Sequence, residues 1–295
     1  MQIKANGITL EVQRHGPQDG VPLILIRGLG SQLIHWPREM LSGLVDRGFR
    51  VVIFDNRDVG QSARCPAPGV DGRAKTILAD LAAGRAPQAA YTLDDMADDV
   101  IGLMDALGMA RAHVFGISMG GGIVQALALR HANRLLSATI VMSRAAFTGQ
   151  GPIDQLLSHP QDREGYIDAA LIGDHAWGSP GFPAPDSYVR DLAGRSYDRG
   201  AEPEGVNRQL LAIIASPDRR HALRAIDLPC LVIHGADDAL IPVQAGEEIA
   251  ALIPDAVLRI VPGMGHIITP ALAPVMVDLL AGFIAQIAPT SDPQG

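Results

Sequence analysis

Gly116-Ile117-Ser118-Met119-Gly120 stands between a short apolar run, His113 to Ile117, and a segment of helical period from Met119 to about His131. A serine flanked by glycines at a strand-to-helix turn is the arrangement that exposes a nucleophile above a parallel sheet. The hydroxyl is a poor nucleophile until it is held in a tight turn and offered a base. The glycines permit the turn, and the helix N-terminus favours negative charge developing beside it. The competing reading is a glycine-rich helix start capped by a serine, common in any βαβ unit.

Outward from that turn the chain alternates short buried runs with amphipathic segments, the pattern of a parallel sheet wrapped by helices. Ile8 to Gln13 reads as a half-exposed strand, and Pro22 to Ile26 and Arg50 to Phe54 as buried ones. Between the latter two, Pro37 to Arg47 carries Met40, Leu41, Leu44 and Val45 at the spacing of one helix face. Thr92-Leu93-Asp94-Asp95 reads as a capping box opening a helix that runs to about Leu107 and stops at Gly108. A strand over Leu136 to Met142 follows the helix after Ser118. Then the rhythm breaks: Gly173 to Pro185 gathers glycines and prolines, with Tyr166, Trp177, Phe182, Tyr188 and Tyr197 in or around it, and Arg144 to about Ala225 reads as an insertion. Alternation resumes with strands at Pro229 to His234 and Val257 to Val261, and helices at Val243 to Ile253 and Ala271 to Ile287. The expected division is a core over 1–143 and 226–288, a cap over 144–225 and a frayed tail over 289–295.

Composition narrows the function. With 47% hydrophobic residues among 295, the chain can bury a sizeable core. It carries 24 basic against 32 acidic residues, a formal charge of −8, and gathers no basic cluster, so nucleic acid is not an expected partner. Two cysteines, Cys65 and Cys230, are too few for a disulfide framework, and the histidines show no metal-ligand spacing, so no metal is expected. No apolar run reaches the roughly 20 residues that span a bilayer. Met1 to Gly7 lacks the pattern of a secretory signal, and the expected compartment is the cytoplasm.

A serine at such a turn needs a base and an acid, and the chain order used with this elbow is nucleophile, acid, histidine. His266, in Pro262-Gly263-Met264-Gly265-His266 just past a strand, is placed to aim an imidazole over the sheet's carboxyl edge. The other histidines fit less well. His234 ends a buried strand, His15, His35 and His113 precede the serine, His131 ends its helix, and His159, His175 and His221 lie in the insertion. Two acids, Asp237 and Asp238, stand in the turn after the strand ending at His234. Either carboxylate could hold the imidazole in its useful tautomer.

On these residues the chain resembles an α/β-hydrolase-fold serine hydrolase from Ile8 to Ile287. The resemblance rests on Gly28-Leu29-Gly30, on Asp55-Asn56-Arg57-Asp58-Val59-Gly60-Gln61-Ser62, on the Ser118 turn, on the Asp238 turn and on Gly265-His266, in that order. Within the family it is most similar to bacterial capped esterases of the aclacinomycin methylesterase kind, on the Asp55 to Ser62 run, Gly178-Ser179-Pro180-Gly181 and Pro262 to His266. The resemblance implies a mostly parallel eight-stranded sheet with helices on both faces and a mainly helical cap. It implies Ser118, Asp238 and His266 as catalytic residues, Asp238 being preferred to Asp237 because in such sequences the acid stands four residues before the proline, here Pro242. It implies an oxyanion hole from the backbone amides of Leu29 and Met119, and no cofactor. The family's usual His-Gly in the oxyanion loop is Arg27-Gly28 here, and Arg27 is expected to pair with a nearby acid in preference to binding substrate charge. Arg57 and Asp58 are expected to fix their loop.

The expected reaction is hydrolysis of a small to medium, largely apolar ester through an acyl-enzyme on Ser118. Gly28, Trp177 and Phe182, with Tyr166 and Tyr188, are candidates for the substrate pocket, although the aromatics also suit a small core within the cap. A serine at 118, where dehalogenases and epoxide hydrolases of this fold use aspartate, argues against both. Carbon-carbon bond hydrolases, cofactor-free haloperoxidases and perhydrolases share the serine triad and stay open, as does a non-catalytic small-ligand receptor. The partner expected is a small-molecule ester, and a homodimer is left open.

Overall fold

A computed structural model describes residues 1–85, 88–147 and 152–287; the tail expected at 289–295 lies outside these. Eight strands form a sheet: β1 (Gln2–Ala5), β2 (Ile8–His15), β3 (Val21–Ile26), β4 (Phe49–Phe54), β5 (Ala112–Ile117), β6 (Leu135–Val141), β7 (Cys230–Gly235) and β8 (Val257–Val261). Their order is β1-β2-β4-β3-β5-β6-β7-β8, antiparallel at β1-β2 and β2-β4 and parallel elsewhere.

The near-continuous apolar runs of β3, β5 and β7 follow from burial on both faces. Successive side chains point to opposite sides, so Ile24 and Ile26 enter one core layer while Leu23 and Leu25 enter the other. β7 divides the same way, with Cys230 and Val232 on the first side and Leu231 and Ile233 on the second. The first layer is closed by helices α3 (Leu93–Ala106), α4 (Met119–Arg130) and α9 (Gln244–Leu252), through residues such as Val100, Ile123 and Ile249. The second is closed by α1 (Arg38–Val45) and α10 (Ala273–Ile284), through Met40, Leu44, Met276 and Leu280.

The sequence reading missed β1 and α2 (Ala74–Ala82). β1 has four residues, of which only Ala5 is buried, too little for period 2 to register. α2 buries Ala74 and Ile77 against Leu157, Leu210 and Leu211, a small cluster apart from the two main layers.

Between β6 and β7 lie α5 (Ile153–Leu156), α6 (Arg163–Trp177), α7 (Asp186–Gly200) and α8 (Pro203–Ala215), with no strand among the described residues. α6 and α7 pack on each other, with Tyr166 and Tyr197 rings 5.8 Å apart. α8 reaches further in. It buries Asn207 to Ala212, and Ala212 joins the same layer as α3 and α4.

Candidate active site

The carboxyl ends of β3, β5, β7 and β8 converge on Ser118. Its backbone adopts φ 54° and ψ −119°, a region that side-chain-bearing residues rarely occupy, and it sits between the end of β5 and the first turn of α4. The flanking glycines are needed because backbones meet there. A Cβ on Gly116 would lie 2.1 Å from the Gly120 carbonyl oxygen, and one on Gly120 would lie 2.3 Å from the carbonyl oxygen of Ile26. The turn is pinned from β6: Ser118 N–H donates to Val141 O at 2.9 Å, and Ser143 Oγ donates to Ser118 O at 2.9 Å.

His266 follows β8 and faces this turn. Its Nε2 is 2.9 Å from Ser118 Oγ, and its Nδ1 is 2.7 Å from Asp238 Oδ2. Asp238 has a fully buried side chain whose Oδ1 accepts the amides of Leu240 and Ile241 at 2.9 and 2.8 Å, leaving Oδ2 for the imidazole. A carboxylate held in that way accepts a hydrogen on Nδ1 and leaves Nε2 with its lone pair toward the serine. The neighbouring acid has a different part. Asp237 Oδ2 accepts the amide of Gly263 at 2.7 Å, bracing the loop that carries His266. His234 Nε2 is directed to the Ile241 carbonyl at 2.9 Å, and burial holds its pKa below the usual imidazole value.

The Gly178-Ser179-Pro180-Gly181 run packs directly against the histidine loop. His266 N–H donates to Trp177 O at 2.7 Å, Gly265 N–H to Ser179 Oγ at 3.0 Å, and Gly181 N–H to Gly263 O at 2.8 Å. A Cβ on Gly265 would lie 2.0 Å from the Gly178 carbonyl oxygen. The loop after β3 approaches Ser118 as well: a Cβ on Gly28 would lie 3.1 Å from Ser118 Cβ. Gly30 N–H in that loop donates to Gln209 Oε1 on α8 at 2.9 Å, and Gln209 Nε2 donates to the Arg57 carbonyl at 2.7 Å.

Ser118 and His266 open onto a cavity of about 430 Å³. Gly28, Leu29, Ser118, Met119, His266 and Trp177 all lie on its wall, as do Tyr166 and Tyr188. Phe182 does not. It packs against the layer containing α1 and α10, and its carbonyl accepts Thr269 Oγ1 at 2.7 Å.

Arg27 also differs from expectation. Among the described residues it makes no ion pair, and its Nε and Nη1 are buried with no hydrogen-bond partner. The guanidinium instead lies over the Trp36 ring, 4.7 Å from its centroid, on the cavity wall. Burial lowers its pKa to about 10. The acids near the loop are already engaged. Asp55 accepts Leu33 N–H at 2.6 Å, Gln61 N–H at 2.9 Å and Arg199 Nη2 at 3.1 Å.

Arg57 and Asp58 do fix their loop, through partners the sequence did not indicate. Arg57 bonds both carboxylate oxygens of Asp99 at 2.7 and 2.6 Å. Asp58 receives Arg208 at 3.0 and 2.6 Å and Tyr91 Oη–H at 2.7 Å. Gln209, Arg208 and Arg199 were missed because no local pattern marks a residue that braces a loop 144 to 179 positions away.

No three acidic, histidine or cysteine side chains gather as a metal site among the described residues, and none of their helices is long and apolar enough to cross a membrane.

Comparison with known proteins places this geometry. The chain is 30% identical over 281 residues to a protein of Caulobacter sp. (strain K31) provisionally assigned as the carbamate hydrolase RutD, covering 88% of this chain and 89% of that one. It is 30% identical over 185 residues to the rhodomycin D methylesterase DnrP of Streptomyces peucetius, covering 63% of this chain and 51% of that one. The crystal structure of the enol-lactonase from Burkholderia xenovorans LB400 matches 97% of this chain and 100% of its own, with a TM-score of 0.75 at 26% identity. Residues 21–269 match the family model of the alpha/beta hydrolase fold, and the chain belongs to that family.

Proposed function

We propose that the protein is a serine carboxylic-ester hydrolase that acts on small to medium, largely apolar esters through an acyl-enzyme on Ser118. The observation that carries this reading is the continuous chain from Ser118 Oγ through His266 to Asp238, at 2.9 and 2.7 Å, opening onto a cavity. In this reading Ser118 Oγ attacks the ester carbonyl as His266 Nε2 takes its proton, and Asp238 stabilises the imidazolium. The amides of Leu29 and Met119 donate to the oxyanion, and the carbonyl re-forms as the alcohol departs with the proton from His266. A water then gives its proton to the same nitrogen as it attacks the acyl-enzyme, and that proton passes to Ser118 Oγ as the acid leaves.

Residues 144–225 act as the cap over this site, with Trp177, Tyr166 and Tyr188 shaping the acyl or alcohol pocket. Methylesterase and enol-lactonase relatives support hydrolysis of an ester or lactone bond over the other reactions of the fold. A panel of esters graded in acyl and alcohol size tests the reading. Turnover by the wild type and its loss by about 10⁴-fold or more in Ser118→Ala is expected. Equal rates for the two proteins on every ester would overturn it.

A further inference from the structure

Arg27 carries a buried charge that the catalytic account does not use. The residue is 8% exposed, Nε and Nη1 have no hydrogen-bond partner, and no carboxylate among the described residues forms an ion pair with it. Taking an unpaired cation out of water is costly, and the Trp36 face recovers only part of that cost. Neutralisation is not the escape: lowered to about 10, the guanidinium still holds its proton at neutral pH.

The surroundings favour an anion arriving from the cavity. Among the described residues of the wall, Arg27 is joined by Arg144 and Arg219, and the acid present is Asp174. Burial raises the pKa of Asp174. His35, next to Arg27, is neutral: Gln32 N–H donates to its Nδ1 at 2.9 Å, and its Nε2 faces Ser196 Oγ at 3.0 Å. Burial and the charge of Arg27 lower His35 to about 3, so it does not compete for the anion. Arg27 immediately precedes Gly28, where a Cβ would lie 3.1 Å from Ser118 Cβ, and Arg27 and Ser118 line one cavity, so a single molecule can meet both.

We propose that Arg27 is an anion subsite of the cavity, and that the protein's substrates are esters with an apolar body carrying a second, ionised carboxylate. Nε and Nη1 are closed off from the cavity, so a carboxylate meets the guanidinium at Nη2, through a charge-assisted hydrogen bond. This rests on the ester-hydrolase reading of Ser118 and adds to it the charge of the substrate.

Two matched pairs of esters test it: monomethyl adipate against methyl heptanoate, with the charge on the acyl side, and 6-acetoxyhexanoate against hexyl acetate, with the charge on the alcohol side. In the wild type the charged member of at least one pair is expected to have a kcat/KM higher by about 10-fold or more, carried by KM. That ratio is expected to fall by about 10-fold or more in Arg27→Met and to recover in part in Arg27→Lys. No preference for either charged ester, or a ratio unchanged in Arg27→Met, would overturn the proposal.

Calorimetric binding of hexanoate against hexanamide to Ser118→Ala reads the subsite with Arg27 intact and without turnover. Tighter hexanoate supports it, and equal or weaker hexanoate overturns it. If the wild type turned over none of the four esters, the hydrolase reading would fail, while the binding comparison would still decide the role of Arg27.

Discussion

Asp237 and Asp238 are neighbours with opposite duties, set by which way each carboxylate turns. Asp238 is sealed from water and reaches His266, whereas Asp237 accepts the Gly263 amide on the loop. Asp238→Asn keeps the shape but loses the anion that stabilises the imidazolium, and is expected to cut kcat on an ester substrate by about 10⁴-fold. Asp237→Asn is expected to cost far less, about 10-fold, by loosening the histidine loop. Steady-state kinetics of the two variants check this, and the reverse order would exchange the two roles. The sequence offered both acids and favoured the second only by resemblance, because a one-residue difference in a turn has no hydrophobic pattern to read. The fate of Arg27 was equally out of reach: pairing with an acid and facing a cavity look alike until the positions of Asp55 and Trp36 are known.

At the scale of elements, α8 is the piece that ties the inserted segment to the site. Its Gln209 holds Gly30 in the loop after β3, and its Arg208 meets Asp58 with both side chains nearly or fully buried. Removing one partner leaves a charge stranded, so Arg208→Met is expected to lower unfolding stability by about 3–5 kcal/mol. The double variant Asp58→Asn with Arg208→Met is expected to recover part of that loss, as denaturant unfolding of the single and double variants will measure. Additive losses would show that the pair is not coupled.

The main strands and helices were legible because their burial repeats at period 2 or 3.6. Leu23 to Ile26 alternates between the two layers, and Val100, Leu103 and Met104 return to one face of α3. α8 was not legible as a brace, since what matters in it is polar and its partners stand some 150 residues away.

Across the whole molecule, the fold requires several imidazoles to stay neutral. Burial lowers His35 to about 3 and His113 to about 4, and lowers His234 as well, against an ordinary value of 6.5. Above pH 6.5 these groups are uncharged in folded and unfolded chains alike. Below it the unfolded chain takes up protons that the folded chain refuses, so stability falls as the pH drops. Each such histidine adds a slope of up to about 1.4 kcal/mol per pH unit. Thermal unfolding between pH 7 and pH 5 is expected to show a falling Tm, with a shallower slope in His113→Gln. A flat profile would contradict the burial of neutral imidazoles.

The central claim is that Ser118 is a nucleophile activated by His266, and covalent capture addresses it most directly. A fluorophosphonate applied to the folded wild type, followed by peptide mass analysis, is expected to place one adduct on Ser118. Labelling in His266→Ala is expected to slow by about 100-fold or more, since the base is gone. An unlabelled Ser118 in folded protein, or equal labelling rates with and without the imidazole, would contradict the account.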